Sequence, residues 1–476
     1  MSPCYYALDC IPTADGRYQV IDVQGGVGAG LDMLDAAYGG KAAARARLRP
    51  YLQRLGEVAQ GKLILFIQDS FAAGQTFPDD FFDLVQRFIA YCPITDWVPD
   101  LQVDRRRDGN AYRTPEVEQI GVFLDPLAGR LRLKIAYCSS ARVDYQRAES
   151  VRARSASSRP MVLLSGFRER ARRKETSVIL APEEIGVGVF SGRGERFPDD
   201  LKQQEWFPLV NPPLLDALLE NKWLLPLLLE GTPAARMLPR WMPVGMGLRT
   251  AAEVMEFTNS LHAPNAFPLA ALKPSHFRLS PGLRFLDRTA LRALAARQPE
   301  HRLPARQAEA LLSPRIAHSY EEISRYRGKL LDNLLRAPGA EVHDHGDGTF
   351  HYSAPYPFLE TTVAVLQEYV EARPIRSRRT GKFHRGSMRV VIFDRKIVAA
   401  LYRLDQEVDD GTFRDLTRPD VSTFFEGVAP DEEAALQEQL GSFIDELERQ
   451  FAARVRSEED LRLLREHWIL DQTARD

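Results

Sequence analysis

"YQVIDVQGGVGAGLDML" (Tyr18–Leu34) runs from a β-rich segment through Gly25, Gly26, Gly28, Ala29 and Gly30 into sequence of helical character. A strand that enters a glycine loop and leaves as a helix has the shape of a dinucleotide-binding turn. The glycines of "GGVGAG" (Gly25 to Gly30), however, space as G-x-G-x-G rather than G-x-G-x-x-G. No acidic residue ends a second strand about 20 residues further on, where a ribose would need one. That region reads "ARARLRPYLQRL" and is helical in pattern. Two other readings remain: a plain structural turn, or the loop that follows a ligand-bearing strand.

The residues before the glycines read as a hairpin and leave both readings open. "LDCIPTADGRYQVIDVQGG" contains Asp15-Gly16 between two strand-like runs, a strong hairpin signal. Asp22 and Gln24 are two apart on the second limb and so share one face, while Asp9 lies on the first limb.

Composition sets bounds on the rest. A chain of 476 residues predicts two to four domains, and its formal net charge of −2 gives no field that would draw the whole molecule to nucleic acid or anionic lipid. Cys4, Cys10, Cys92 and Cys138 show no C-x-x-C spacing, which fits a reduced, cytoplasmic setting. "MSPCYYALDC" lacks the pattern of a signal peptide. The apolar run "WLLPLLL" (Trp223–Leu229) is far short of the ~20 residues a spanning helix needs. Neither a membrane nor a nucleic-acid partner is expected, and a homodimer is one assembly open to the chain.

Apolar runs alternate with helical sequence after the glycines. "KLILFIQD", "IGVFLD", "MVLLSG" and "IGVGVFSG" read as strands of a parallel α/β layer. Residues 142–174, rich in Arg and Ser, read as a solvated loop within it. Beyond it, "LVNPPLLDALLENKWLLPLLLEG" reads as a helix started by proline. "FPLAALKP", "TTVAVLQEYVEARPI" and "SMRVVIFDRKIVAALYRL" read as strands, the last a hairpin turning at Asp394-Arg395-Lys396. The tail "EEAALQEQLGSFIDELERQFAARV" is apolar at helical spacing.

The later half has an order of motifs: Asn221-Lys222, then Lys273 ending a strand, then "QEYVE" (Gln367–Glu371), then Arg389 and Arg403 on "MRVVIF…KIVAALYR". This order resembles the ATP-grasp superfamily of glutathione synthetase-like carboxylate–amine ligases. Such chains usually close on a metal-binding strand pair, which here would be the N-terminal hairpin. The resemblance thus implies a circularly permuted, α/β ATP-grasp fold with a preceding Rossmann-like domain. Its parts would be residues 1–40 (the permuted metal-binding strand pair), 41–205 (the preceding α/β domain) and 206–476 (the nucleotide-binding lobes and closing helices). It implies ATP and Mg2+ as cofactors, with Lys222 and Lys273 at the phosphates and adenine side. The chain at Glu368, Tyr369 and Val370 would meet the adenine edge and Glu371 the ribose. Asp9, Asp22 and Gln24 would hold the metal, and Arg389 and Arg403 would be catalytic.

The implied reaction joins a small-molecule, amino-acid or peptide carboxylate to an amine through an acyl phosphate. The basic run "RPIRSRRTGKFHRG" has no acid, and Arg379, Lys382 and Arg385 on it are candidates for a lid over substrate or phosphate. The chain departs from the pattern in three ways. Asp22 stands where the family has Glu, Gln24 where it has Asn, and the phosphate loop "PSHFRLSPG" after Lys273 holds one glycine, Gly282. A kinase of the same fold and a non-catalytic nucleotide-binding protein are the alternatives.

Overall fold

The computed structural model describes residues 4–25, 34–60, 63–68, 123–124, 132–139, 161–164, 177–180, 185–191, 209–211, 219, 221–245, 248–261, 267–274, 283–302, 341–344, 350–353, 364–416, 422–455, 460 and 463–464. The elements begin with strands β1 (Tyr5–Pro12) and β2 (Tyr18–Gly25), then helices α1 (Leu34–Tyr38) and α2 (Lys41–Ala59). Strands β3 (Leu63–Gln68), β4 (Phe123–Leu124), β5 (Arg132–Ser139), β6 (Met161–Leu164), β7 (Ser177–Leu180), β8 (Ile185–Ser191) and β9 (Leu209–Val210) follow. Next are helix α3 (Leu224–Leu229), strand β10 (Trp241–Val244), helix α4 (Ala251–Ser260), strands β11 (Ala270–Pro274) and β12 (Arg284–Leu286), and helix α5 (Arg288–Ala296). The chain continues with β13 (Glu341–Asp344), β14 (Phe350–Ser353), β15 (Ala364–Glu368), β16 (Ile375–Arg376) and β17 (Phe383–His384). It closes with β18 (Gly386–Phe393), β19 (Lys396–Asp405), β20 (Thr423–Gly427) and the long helix α6 (Pro430–Arg454). The fold is mixed α/β and holds both parallel and antiparallel pairings. No described helix is long and apolar enough to cross a membrane.

These elements form two compact units: Met1–Ala7, Gly25–Asp216 and Val391–Ala399 make the first, and Leu8–Gln24, Ala217–Val390 and Ala400–Asp476 the second. The first holds a sheet of order β4-β5-β3-β8-β9, in which β3 is flanked by parallel β5 and β8 and helix α2 packs on β3 and β8. This is the parallel layer expected from the sequence, with three differences. "RLKIAYCS" forms β5, a central strand hidden from the reading because Arg132 and Lys134 break its apolar run. "MVLLSG" contributes β6, which pairs antiparallel with β7 in a separate two-stranded sheet. "IGVFLD" contributes β4, an antiparallel edge strand on β5. Elsewhere in this unit, Asn211 accepts the Tyr5 N–H on Oδ1 at 2.5 Å and donates to the Tyr5 carbonyl, fixing the start of β1.

Two larger sheets are built wholly or in part from strand residues of the second unit. One has the order β2-β1-β18-β19-β20, and the other β10-β15-β11-β12. In the four-stranded sheet alternation sorts the side chains. Met242, Leu366 and Leu272 stand opposite one another and are buried with Val254, Leu291 and Leu294 of α4 and α5. The other face of the same strands carries Lys273 opposite Val365, and Gln367 opposite Ala271. Both faces thus bury apolar side chains, Val365 and Ala271 on the second, which also carries Lys273 and Gln367. Helix α4 starts on a full capping box: Thr250 Oγ1 accepts the Glu253 N–H at 3.3 Å and Glu253 Oε2 accepts the Thr250 N–H at 2.8 Å. Helix α6 buries Leu436, Leu440, Phe443, Ile444, Leu447 and Phe451, the helical spacing seen in its sequence.

Two expected turns form, the second one residue shorter than read because Lys396 begins β19. The first hairpin closes at Gly16, at φ 79°, with the Thr13 N–H donating to the Arg17 carbonyl at 2.8 Å. Between β18 and β19, Asp394 and Arg395 take φ 49° and 66°, the left-handed values of a tight two-residue turn. Gly26–Gly30 of the glycine stretch and the phosphate-loop residues 275–282 lie outside the described residues, as does most of the 142–174 loop.

Candidate functional site

The second unit gathers charged residues from widely separated parts of its sequence. Arg389 on β18 forks onto Asp9 on the neighbouring β1: Nε donates to Oδ1 at 2.8 Å and Nη2 to Oδ2 at 3.0 Å. Gln24 on β2 donates its amide nitrogen to the same Oδ2 at 2.9 Å. Lys222 Nζ meets Asp22 Oδ2 at 2.5 Å, and Asp22 Oδ1 accepts the Val23 N–H at 3.1 Å. Lys273 Nζ donates to the Ile21 carbonyl at 2.8 Å, and Gln367 Nε2 reaches the same oxygen at 3.5 Å. The hairpin β1–β2 is thus met by Lys222, Lys273 and Arg389 together.

Lys222 is not on a helix, as its sequence suggested, but in the turn before α3. The reason is Asn221, whose Oδ1 accepts the N–H groups of Trp223 at 3.0 Å and Leu224 at 3.1 Å. A short amide side chain that competes for the first helical amides starts a helix rather than continuing one.

Electrostatics follow from burial and from the company each group keeps. Burial pulls Lys273 down to about 8, Lys222 adds to the effect, and Asp22 and Asp9 oppose it. For Asp22, burial pushes the carboxyl up, but Lys222 and Lys273 outweigh it and hold the group below its ordinary value. Arg403 on β19 is lowered by burial first and by Arg389 second, against Asp9 and Asp415. Its Nε is buried and has no hydrogen-bond partner among the described residues. An unsatisfied buried guanidinium nitrogen costs roughly 1–3 kcal/mol or more, which a ligand oxygen would offset. Gly386 on β18 fixes its surroundings: a Cβ there would lie 2.6 Å from the Arg403 carbonyl and 2.6 Å from Leu404 Cδ2.

The segment read as the adenine edge is largely committed to other partners. Glu368 is held bidentately by Arg240, at 3.0 and 2.9 Å, and its N–H donates to the Arg240 carbonyl at 2.8 Å. The Tyr369 N–H donates to the Leu269 carbonyl at 3.0 Å. Val370 is half-buried and Glu371 exposed, 4.0 Å from Arg385. The Tyr369 ring packs edge-on with Phe285 and Phe413, centroids 5.9 and 5.7 Å away. Its hydroxyl is pushed up to about 12 by burial, with Arg385 opposing and Glu371 and Asp415 adding.

The basic run forms the small hairpin β16–β17. Glu426 ties down its turn, accepting from Ser377 Oγ at 2.6 Å, the Arg378 N–H at 2.8 Å and the Arg379 N–H at 3.2 Å. Arg379 and Lys382 are exposed, and the Arg379 guanidinium lies 5.6 Å from the centre of the Phe424 ring. Arg385 is paired with Asp409 at 2.6 Å. Sequence reasoning missed Asp415, Glu426, Arg240 and Phe413. None of them falls in a motif, and each matters only through residues far away in the chain.

The metal expectation meets a chemical obstacle. Both Asp9 oxygens accept from Arg389, and Gln24 turns a donor, not its oxygen, toward that carboxylate. Asp22 is engaged by Lys222. Among the described residues no group of three or more His, Cys, Asp and Glu side chains could hold a metal ion. In this arrangement Asp9, Asp22 and Gln24 do not fit a resident Mg2+, which demands their oxygens.

No family model matches the chain, and no curated protein matches it. Among solved structures, one from Methylobacillus flagellatus KT described as "Putative gamma-glutamylcysteine synthetase" is similar at a TM-score of 0.42 and 10% identity, over 95% of this chain and 90% of that one. A likeness at that level bears on neither fold nor activity.

Proposed function

We propose that the second unit binds ATP and that the protein is an ATP-dependent ligase joining a carboxylate to an amine. The observation that carries this reading is the convergence of Lys222, Lys273 and Arg389 on the β1–β2 hairpin, beside Arg403 with its unpartnered buried Nε. Phosphoryl transfer is mainly positioning and neutralisation of charge, and these cations supply both. In the reaction the γ-phosphoryl group of ATP passes to a substrate carboxylate oxygen, giving ADP and an acyl phosphate. The amine then attacks the acyl carbon, the C–N bond forms, and phosphate leaves. Lys222 and Lys273 would hold the phosphate chain, and Arg389 and Arg403 the transferring group and the carboxylate. With the Glu368 and Tyr369 amides engaged, the base would be met by Val370, with Glu371 at the ribose. Arg379, Lys382 and Arg385 would face the substrate from the β16–β17 hairpin.

The test is ADP formation screened over pairs of amino acids and small carboxylates. ADP release that requires both an acid and an amine is the expected result, with Arg403→Ala lowering kcat/KM by about 10²–10³ as for a lost transition-state donor. ATP binding without turnover on any pair would favour a second reading, a non-catalytic nucleotide-binding protein. One observation speaks for that second reading: Asp9 and Asp22, the metal candidates, are engaged by Arg389 and Lys222.

A further inference from the structure

We infer that this site takes the phosphate chain of its ligand without a divalent metal ion, the protein's own cations standing where the ion would. The inference rests on the nucleotide reading above and names what that site requires. For an ion to bind Asp9, the Arg389 fork must let go. That would take the Asp9 charge from beside Arg389 and Arg403, and Arg389 already disfavours the charge on Arg403. For an ion to bind Asp22 through Oδ2, Lys222 must give up its contact with that oxygen, and Asp22 its largest compensating charge. An entering anion has no such cost. Arg403 Nε already lacks an acceptor, and Lys273 has three N–H donors of which the Ile21 carbonyl takes one. The local charge agrees. Among the described residues Lys222, Lys273, Arg389 and Arg403 stand against Asp9, Asp22 and Asp415, so this described set has cation in excess before any ion is added. An anion relieves that excess and a free divalent cation increases it. The class of ligand is therefore an oligophosphate, bound by a forked guanidinium and an ammonium.

Titration calorimetry of the full chain with ATP, and separately with inorganic tripolyphosphate, each in EDTA and in excess Mg2+, tests this. Both ligands should bind in EDTA with a Kd within about threefold of that in Mg2+, and Arg403→Ala should weaken binding in EDTA about ten- to a hundredfold. Arg403→Lys, which keeps the charge and loses the fork, should fall between, and a Tm for each variant shows that it is folded. ATP binding in Mg2+ but not in EDTA overturns the inference and leaves the nucleotide reading standing. Binding of neither ligand under either condition overturns both. Tripolyphosphate binding in EDTA with no ATP binding keeps the inference and removes the nucleotide. An Arg403→Ala affinity equal to wild type in a folded variant overturns the inference.

Discussion

Lys273 combines two properties at the level of the single residue: its Nζ lies on the β1–β2 hairpin, 2.8 Å from the Ile21 carbonyl, and burial brings its titration to about 8. Below that value it is charged and can hold an anion. As pH rises through it, the ammonium loses its proton and the attraction goes. Affinity for ATP should therefore fall above about pH 8, by up to tenfold per unit for one linked proton. Lys273→Arg, which stays charged, should flatten that fall in a binding titration between pH 7 and 10. An unchanged profile in the variant would remove Lys273 from the site. The stability linkage has the opposite slope. With the folded value depressed below the ordinary 10.5, the unfolded chain binds the extra proton between about 8 and 10.5, so this group adds stability as pH rises through that window.

The β16–β17 hairpin shows how a basic element is held in one shape. Glu426 is buried and takes three donors from the turn. Burial raises its pKa, but these hydrogen bonds and Arg378 outweigh it and keep the carboxylate charged. Glu426→Ala should speed amide hydrogen exchange at Arg378 and Arg379 and cost about 1–3 kcal/mol of stability. Exchange at wild-type rates would show that the turn holds itself. With its folded value depressed, the Glu426 contribution is present above the ordinary carboxylate range and is lost as pH falls below it.

Much at this scale was legible in the sequence. Asp15-Gly16 and Asp394-Arg395 mark hairpins because their backbone values are local needs, and the apolar spacing of α6 repeats in its buried face. The set Asp9, Asp22, Gln24, Lys222, Lys273 and Arg389 was picked out by the resemblance of its order to the ATP-grasp motifs, with Lys222 expected on a helix. What could not be read was who pairs with whom. That Arg389 would take Asp9, or Arg240 take Glu368, depends on which strands become neighbours. β5 was hidden for a related reason, since a central strand with two basic residues looks like an edge until its partners are known.

At the scale of the molecule, α6 provides the largest run of buried side chains in any described helix, with Phe443 fully buried. Phe443→Ala should lower unfolding stability by about 3–5 kcal/mol, read from a denaturant midpoint. A loss under about 1 kcal/mol would mean that the helix packs more loosely than its burial indicates. At the start of α6 one oxygen meets three other segments of the second unit. Glu432 Oε1 accepts from Tyr18 at 3.1 Å, from Arg373 at 3.2 Å and from Tyr402. Three segments distant in sequence thus share one acceptor on this helix. Such a node couples their opening. Hydrogen exchange in β2, around residue 373, in β19 and in α6 should report one common protection energy, and replacing Glu432 by Ala should make the four come apart at separate denaturant concentrations.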